Sequence, residues 1–147
     1  MKKIIFIFFV LIIAVAFGGC IKRIDYTLPE NPIEFNNGTF VVPDNEDDTY
    51  LSFEYNGRTY ICYGTLNFFI NGNDVGKCLG YYVQDGEKDE NMRIFLLAGD
   101  EDENFLVRIH IGGIMDQPDF FRAIDTRYKD IEVPRCIRAS ETDRFWK

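Results

Sequence analysis

The 147-residue chain contains one histidine, His110, two serines, Ser52 and Ser140, and one tryptophan. A Ser-His-Asp or Cys-His mechanism would have to run through His110, and neither serine sits in a nucleophile-elbow pattern. His110 alternates with Arg108 on the polar side of an apolar-patterned strand, where a solvated histidine is expected. Basic residues are scarce: 16 Lys and Arg stand against 24 Asp and Glu, for a net charge of −8. That balance excludes a nucleic-acid binder, which needs clustered cations to neutralise phosphates. Cysteine is sparse and wrongly spaced for a zinc site, and no acidic run matches the spaced Asp-x-Asp-x-Asp-Gly calcium loop. No metal and no cofactor is expected. No internal repeat or low-complexity tract interrupts the chain.

What is present begins with Met1-Lys2-Lys3 and an unbroken apolar run from Ile4 to Phe17, followed by Gly18-Gly19-Cys20. The run is shorter than the roughly 18 to 20 residues that span a bilayer as a helix. Two lysines before a short apolar stretch match the n- and h-regions of a secretory signal. The small residues directly before Cys20 resemble the lipobox of bacterial lipoprotein precursors, although Phe17 stands where that family usually has Leu. The resemblance implies that the Cys20 thiol receives a diacylglyceryl group and that cleavage leaves Cys20 as the lipidated N-terminus. Ala14-Val15-Ala16 offers a rival small-x-small site, whose product would be a secreted chain starting at Phe17 without lipid. Cleavage before Cys20 removes two lysines and no acid, so the charge of −8 becomes −10. An acidic domain is repelled by anionic headgroups, so the expected hold on the bilayer is through the Cys20 acyl chains.

Three segments follow from this reading: a signal peptide at 1–19, a lipidated N-terminus and tether at 20–37, and one β-rich extracytoplasmic domain at 38–147. Pro29, Pro32 and Asn36-Asn37 argue for the tether, while Ile24, Tyr26, Leu28, Ile33 and Phe35 suit an irregular first strand instead. From Gly38 the pattern is β. Thr49 to Tyr55 alternates strictly, Asn56-Gly57 is the preferred type I′ pair, and Arg58 to Phe69 returns. A two-residue turn sets pairs that sum to 113, so Phe53 faces Tyr60, and Leu51 and Cys62 share their side. A second hairpin through Asn71-Gly72 would add Leu79, Tyr81 and Val83 to that side and put Cys78 on the other. A Cys62–Cys78 bridge then fails on geometry. Met92 to Ala98 reads as a central strand, Phe105 to Ile111 alternates, and Ile131 to Arg138 reads as a last edge strand. Asp116, as a cap, with Pro118, Phe120, Phe121 and Ile124 predicts one short helix near 116–126. The fold class is mainly β: an antiparallel meander forming a small barrel or two-layered sandwich.

Two features remain as sites. Acidic runs at 44–48, 85–91 and 100–104 are expected to be solubilising turns. Tyr50 and Tyr63, near Ile61, form an aromatic second face, covered either by more of the chain or by a partner. With no catalytic constellation, the expected function is non-enzymatic: a membrane-tethered binding or interaction module at the cell envelope, of which a protective or immunity lipoprotein is one version. A basic protein or peptide would suit its charge. A carrier or enzyme using a barrel interior and a structural envelope protein are the alternatives, the former requiring a hollow, aromatic-lined cavity.

Overall fold

The computed structural model describes residues 21–43, 45–112, 117–140 and 145–146. The expected signal peptide at 1–19, Cys20, Asp44 and the expected cap Asp116 lie outside the described residues. Among the described residues nine strands are found: β1 (Ile33–Asn36), β2 (Gly38–Val42), β3 (Asn45–Tyr55), β4 (Arg58–Leu66), β5 (Val75–Gln84), β6 (Glu87–Leu97), β7 (Phe105–His110), β8 (Asp119–Ala123) and β9 (Ile137–Ala139). They make one sheet in the order β1-β5-β6-β7-β8-β4-β3-β2, with β9 beside β4. Every pairing is antiparallel except β1 with β5.

The sheet curls into a half-barrel, and two observations explain how. Its edge strands β1 and β2 are consecutive in the chain and separated by Asn37 alone, so the two edges must approach each other there. Side chains from seven strands also share one cluster, which includes Phe35 of β1, Phe53 of β3, Tyr60 of β4, Tyr82 of β5, Ile94 of β6, Leu106 of β7 and Phe121 of β8. Strands that far apart in sheet order can touch only across a concave face. Phe35 and Phe53 meet edge to face at 6.0 Å, and Phe53 and Phe121 rings lie 4.5 Å apart. The concave interior is filled with rings.

The convex face is covered by the chain itself. Tyr63, Phe95, Phe105, Val107, Ile109 and Phe120 point outward from the sheet and are buried beneath Ile24, Tyr26, Leu28, Ile131, Val133 and Trp146. The segment 24–28, expected as tether, is thus part of the folded body, and so is β1. Its alternation is the cause: Ile24, Tyr26 and Leu28 turn inward from an extended chain while Asp25 and Thr27 stay exposed. Tyr26 meets Phe95 edge to face at 5.9 Å. A charged residue sits within this layer. Arg122 of β8 is buried, with its guanidinium 4.9 Å from the Trp146 ring centre and 5.1 Å from that of Tyr63. It donates to Thr126 Oγ1 at 2.8 Å and to the Thr126 carbonyl at 2.7 Å, so its flat faces take rings while its edge takes hydrogen bonds.

The first hairpin has the expected register, Ser52 to Ile61 and Phe53 to Tyr60, with Asn56 and Gly57 both at positive φ. Met92 to Leu97 lies in an interior strand, β6, flanked by β5 and β7. The second hairpin does not form. β4 pairs with β8 and β9, and β5 instead starts a separate meander, so Asn71-Gly72 is a loop rather than a hairpin turn. Register shifts in the β5–β6 pair, one of them between Tyr81 and Tyr82, place Tyr82 rather than Tyr81 in the concave cluster. The helical element is shorter than the expected 116–126. Asp119–Ala123 is strand β8, and only Ile124–Thr126 is helical, as one 3-10 turn. Phe120 and Phe121 are needed on opposite faces of the sheet, which a strand supplies and a helix does not. The last strand shrinks to β9, and the residues before it serve as cover.

Candidate functional site: an acidic cleft beside the sheet

Three loops meet at one margin of the sheet: residues 98–104 after β6, 73–74 before β5, and 130–136 before β9. They enclose a cleft of about 630 Å³. Its walls carry the carboxylates of Asp74, Asp100, Glu101, Asp102, Asp130 and Glu132 against the single guanidinium of Arg135. Glu101, Asp102, Asp130 and Glu132 are exposed on the rim, whereas Asp74 is buried in the wall.

Each loop is built by its own polar residues. Asp74 Oδ2 accepts the Asn71 backbone N–H at 3.1 Å, and the Asp74 N–H returns to the Asn71 carbonyl at 3.0 Å, which closes a tight turn before β5. Arg135 Nη2 reaches Asp74 Oδ1 at 3.3 Å and ties this wall to the 130–136 loop. Asp100 Oδ2 accepts the Phe105 N–H at 2.7 Å, starting β7. Burial pushes the Asp100 carboxyl above its usual range, despite the opposing hydrogen bonds from the Asn104 and Phe105 backbones and the charge of Arg58.

Arg58 holds the third wall in place. It donates from Nη1 to the carbonyls of Asp102 and Glu103, both at 2.9 Å, from Nη2 to Asn104 Oδ1 at 3.1 Å, and from Nε to Asp125 Oδ1 at 3.0 Å. Tyr60 Oη donates to the same Glu103 carbonyl at 2.6 Å, and burial raises its hydroxyl to about 12. The Asn56-Gly57 hairpin delivers Arg58 to this position, so the most readable turn in the sequence anchors the cleft wall. The carboxylates surround the cleft rather than converge. Among the described residues, no group of three or more His, Cys, Asp or Glu side chains is gathered closely enough to hold a metal ion. Such an arrangement suits several cationic groups spaced along an extended partner.

The residues singled out from sequence lie elsewhere. Ile61 and Tyr63 are buried, covered by Phe145 and Trp146, with the Tyr63 and Trp146 rings perpendicular at 5.3 Å. Tyr50 is half-buried, with its ring 5.8 Å from Phe145. The aromatic second face is therefore covered by the chain's own C-terminal residues and is not a contact patch. The Trp146 indole N–H donates to the Cys62 carbonyl at 3.1 Å, which fixes this cover on β4. Cys62 joins the concave cluster and Cys78 and Cys136 the convex one, and no disulfide links any two of them. His110 follows Leu106 and Arg108 on the concave side of β7, while Ser52 pairs with Ile61 and shares its convex side, so the sheet separates them. His110 Nδ1 is buried without a hydrogen-bond partner among the described residues.

Sequence reasoning assigned 100–104 to a solubilising turn and gave 73–74 and 130–136 no site role. Only the abundance of acids marked any of them, and that signal is shared by the other two acidic runs. Comparison of the chain with protein-family models, curated proteins and solved structures finds no match in any of the three.

Proposed function

We propose that the chain is an exported bacterial lipoprotein, held to the extracytoplasmic face of a membrane by Cys20, whose domain binds a cationic peptide or protein segment in the acidic cleft. It acts as a non-enzymatic interaction module. Interception of a basic toxin or peptide at the membrane is the protective version of this role. The observation that carries the reading is the cleft itself: about 630 Å³, with six carboxylates against one guanidinium. The ring-filled interior supports a surface site over an internal one. Export and lipidation rest on the apolar run and Gly18-Gly19-Cys20.

The test uses the mature lipoprotein in detergent micelles and an oligolysine peptide as probe, followed by calorimetry. Neutralising the rim in the variant E101Q/D102N/D130N/E132Q should weaken binding at least about tenfold, a change of about 1.4 kcal/mol. Raising the salt should weaken the wild-type protein more than the variant. Equal affinities, or binding without salt dependence, would remove the cleft as the site. Intact mass tests the anchor: the reading requires a chain starting at Cys20 with acyl mass.

A further inference from the structure

The convex cover begins at Ile24, four residues after the proposed lipid attachment point, and this has a consequence for how the domain would meet a membrane. Ile24, Tyr26 and Leu28 fix the N-terminal segment on the sheet, so only residues 21–23 separate Cys20 from the folded body in sequence. The segment is also fastened to the β4–β5 loop. The Gly72 N–H donates to the Lys22 carbonyl at 2.7 Å, and a Cβ on Gly72 would stand only 2.3 Å from the Arg23 carbonyl oxygen. Gly72, which meets the Lys22–Arg23 backbone, is thus a position that only glycine can occupy.

The same loop holds two large apolar side chains in water. Phe69 is 72% exposed and Phe68 is 43% exposed, and Ile21 is 72% exposed. They are not on a fraying loop. Asn67 is pinned on one side, its N–H donating to the Cys136 carbonyl at 2.8 Å and its Nδ2 to the Arg135 carbonyl at 3.1 Å. Ile70 is pinned on the other, buried in the convex core. Between these anchors the two phenylalanines are presented outward. Lys22 and Arg23 are exposed in the segment that this loop fastens at Gly72, and the Arg135 guanidinium lies 5.8 Å from the Phe68 ring centre. Apolar rings flanked by cations are what a bilayer interface accepts: rings enter the acyl boundary and cations stay at the phosphates.

We propose that Ile21, Lys22, Arg23, Phe68 and Phe69 form a membrane-contact face that sits in the bilayer holding the Cys20 acyl chains and so sets the orientation of the domain. The inference rests on the lipoprotein reading above. Arg135, which borders Phe68, also reaches Asp74 in the cleft wall, so the cleft opens where the membrane-contact face ends. A partner in the cleft would be held close to the bilayer surface.

The experiment places one fluorescent reporter beyond the Leu66 end of β4 and another in β3 beside the Arg58 end of β4, in the full lipidated protein. Phe69→Trp puts an indole in the proposed face. Glu54→Trp puts one near the Asn56-Gly57 turn, at the far end of a nine-residue strand and so roughly 25–30 Å away. Each variant is reconstituted in phosphatidylcholine vesicles with and without brominated acyl chains, and the wild-type signal of Trp146 is subtracted. Bromine should quench the added F69W emission at least twofold and leave the added E54W emission unchanged. In F68S/F69W, which keeps the reporter and removes its neighbour, quenching should fall toward the E54W level. If both reporters escape quenching while intact mass shows acylated Cys20, the domain stands clear of the bilayer and this inference fails alone. Equal quenching of both would mean no fixed orientation and would overturn it as well. A chain without acyl mass that stays off the vesicles overturns the lipoprotein reading, and this inference with it.

Discussion

Two acidic turns of nearly the same composition have opposite fates in this molecule. Only Asp85-Gly86, both at positive φ, connect β5 to β6; residues 87–91, expected as turn, begin strand β6, and apart from half-buried Asp89 the acids of this run are exposed. The contact there is an exposed ion pair of Lys88 with Glu34 at 2.5 Å, with Lys88 also 5.1 Å from the Tyr81 ring centre. Residues 100–104 carry as many acids, yet their backbone is captured by Arg58 and Tyr60 and becomes a wall of the cleft. The difference does not lie in the turns. A hairpin tip more than 40 residues earlier in the chain brings a guanidinium to two carbonyls of the second turn, whereas the guanidinium that reaches the first run, Arg93 on the Glu90 carbonyl, comes from the same strand. The acidic turn whose carbonyls are held by the guanidinium of a distant hairpin tip is the one built into the cleft.

The largest effect should come from removing that guanidinium. Arg58→Ala deletes four hydrogen bonds to the 102–104 loop and Asp125, and we expect a loss of about 2 kcal/mol in urea unfolding. The cleft affinity for oligolysine should fall with it, because the wall is no longer held. An unchanged urea midpoint would erase the distinction between the turns.

Next come two carboxylates beside the clasp, with opposite signs. Asp125 is shifted down overall: partial burial pushes it up, but the hydrogen bond and charge of Arg58, and then Lys129, outweigh it. Its contribution is present above the ordinary carboxylate value and is lost as pH falls through the lowered one. Asp125→Asn should therefore cost more stability at pH 7 than at pH 3. Asp100 is shifted up by burial, so its ionised form opposes folding. That penalty is absent below the ordinary value and complete above the raised one. Wild-type protein should lose stability relative to Asp100→Asn, which keeps an oxygen acceptor for the Phe105 N–H, as pH rises from 3 to 7. Paired urea titrations at the two pH values check both, and equal signs would break the account of the clasp.

The smallest effect belongs to the first turn. Lys88→Ala removes an ion pair whose side chains are each nearly half exposed, and no shift of the urea midpoint is expected at 0.15 M salt. A shift approaching that of Arg58→Ala would show that the two turns are energetically alike after all.

Local patterns were legible in the sequence wherever the physics is local. The Asn56-Gly57 turn determines the 51–62 register, because only residues tolerant of positive φ fit a type I′ turn and the side-chain period is two. The same period assigned Phe105, Val107 and Ile109 to one face and separated Cys62 from Cys78. Legibility ended where distant segments compete. Asn71-Gly72 has the composition of a hairpin turn, but β8 takes the place beside β4, and Gly72 instead makes room for the Lys22–Arg23 backbone. The segment 24–28 looked like a tether because its partner surface, centred on Phe95, lies some 70 residues away in the chain. Ile61 and Tyr63 looked like a contact patch because their cover, Phe145 and Trp146, is more than 80 residues away.

By itself, then, the sequence determined a β domain, its first hairpin, the two-sided apolar patterning of its strands and a net negative charge. Each follows from backbone sterics, side-chain alternation or simple counting, which neighbouring residues settle among themselves. The tertiary structure decided which strand lies beside β4, which segments seal the convex face and which acidic turn is built into a cleft. Those outcomes depend on which apolar surfaces find each other across the folded chain and on where one guanidinium arrives, and no local window of residues contains that information.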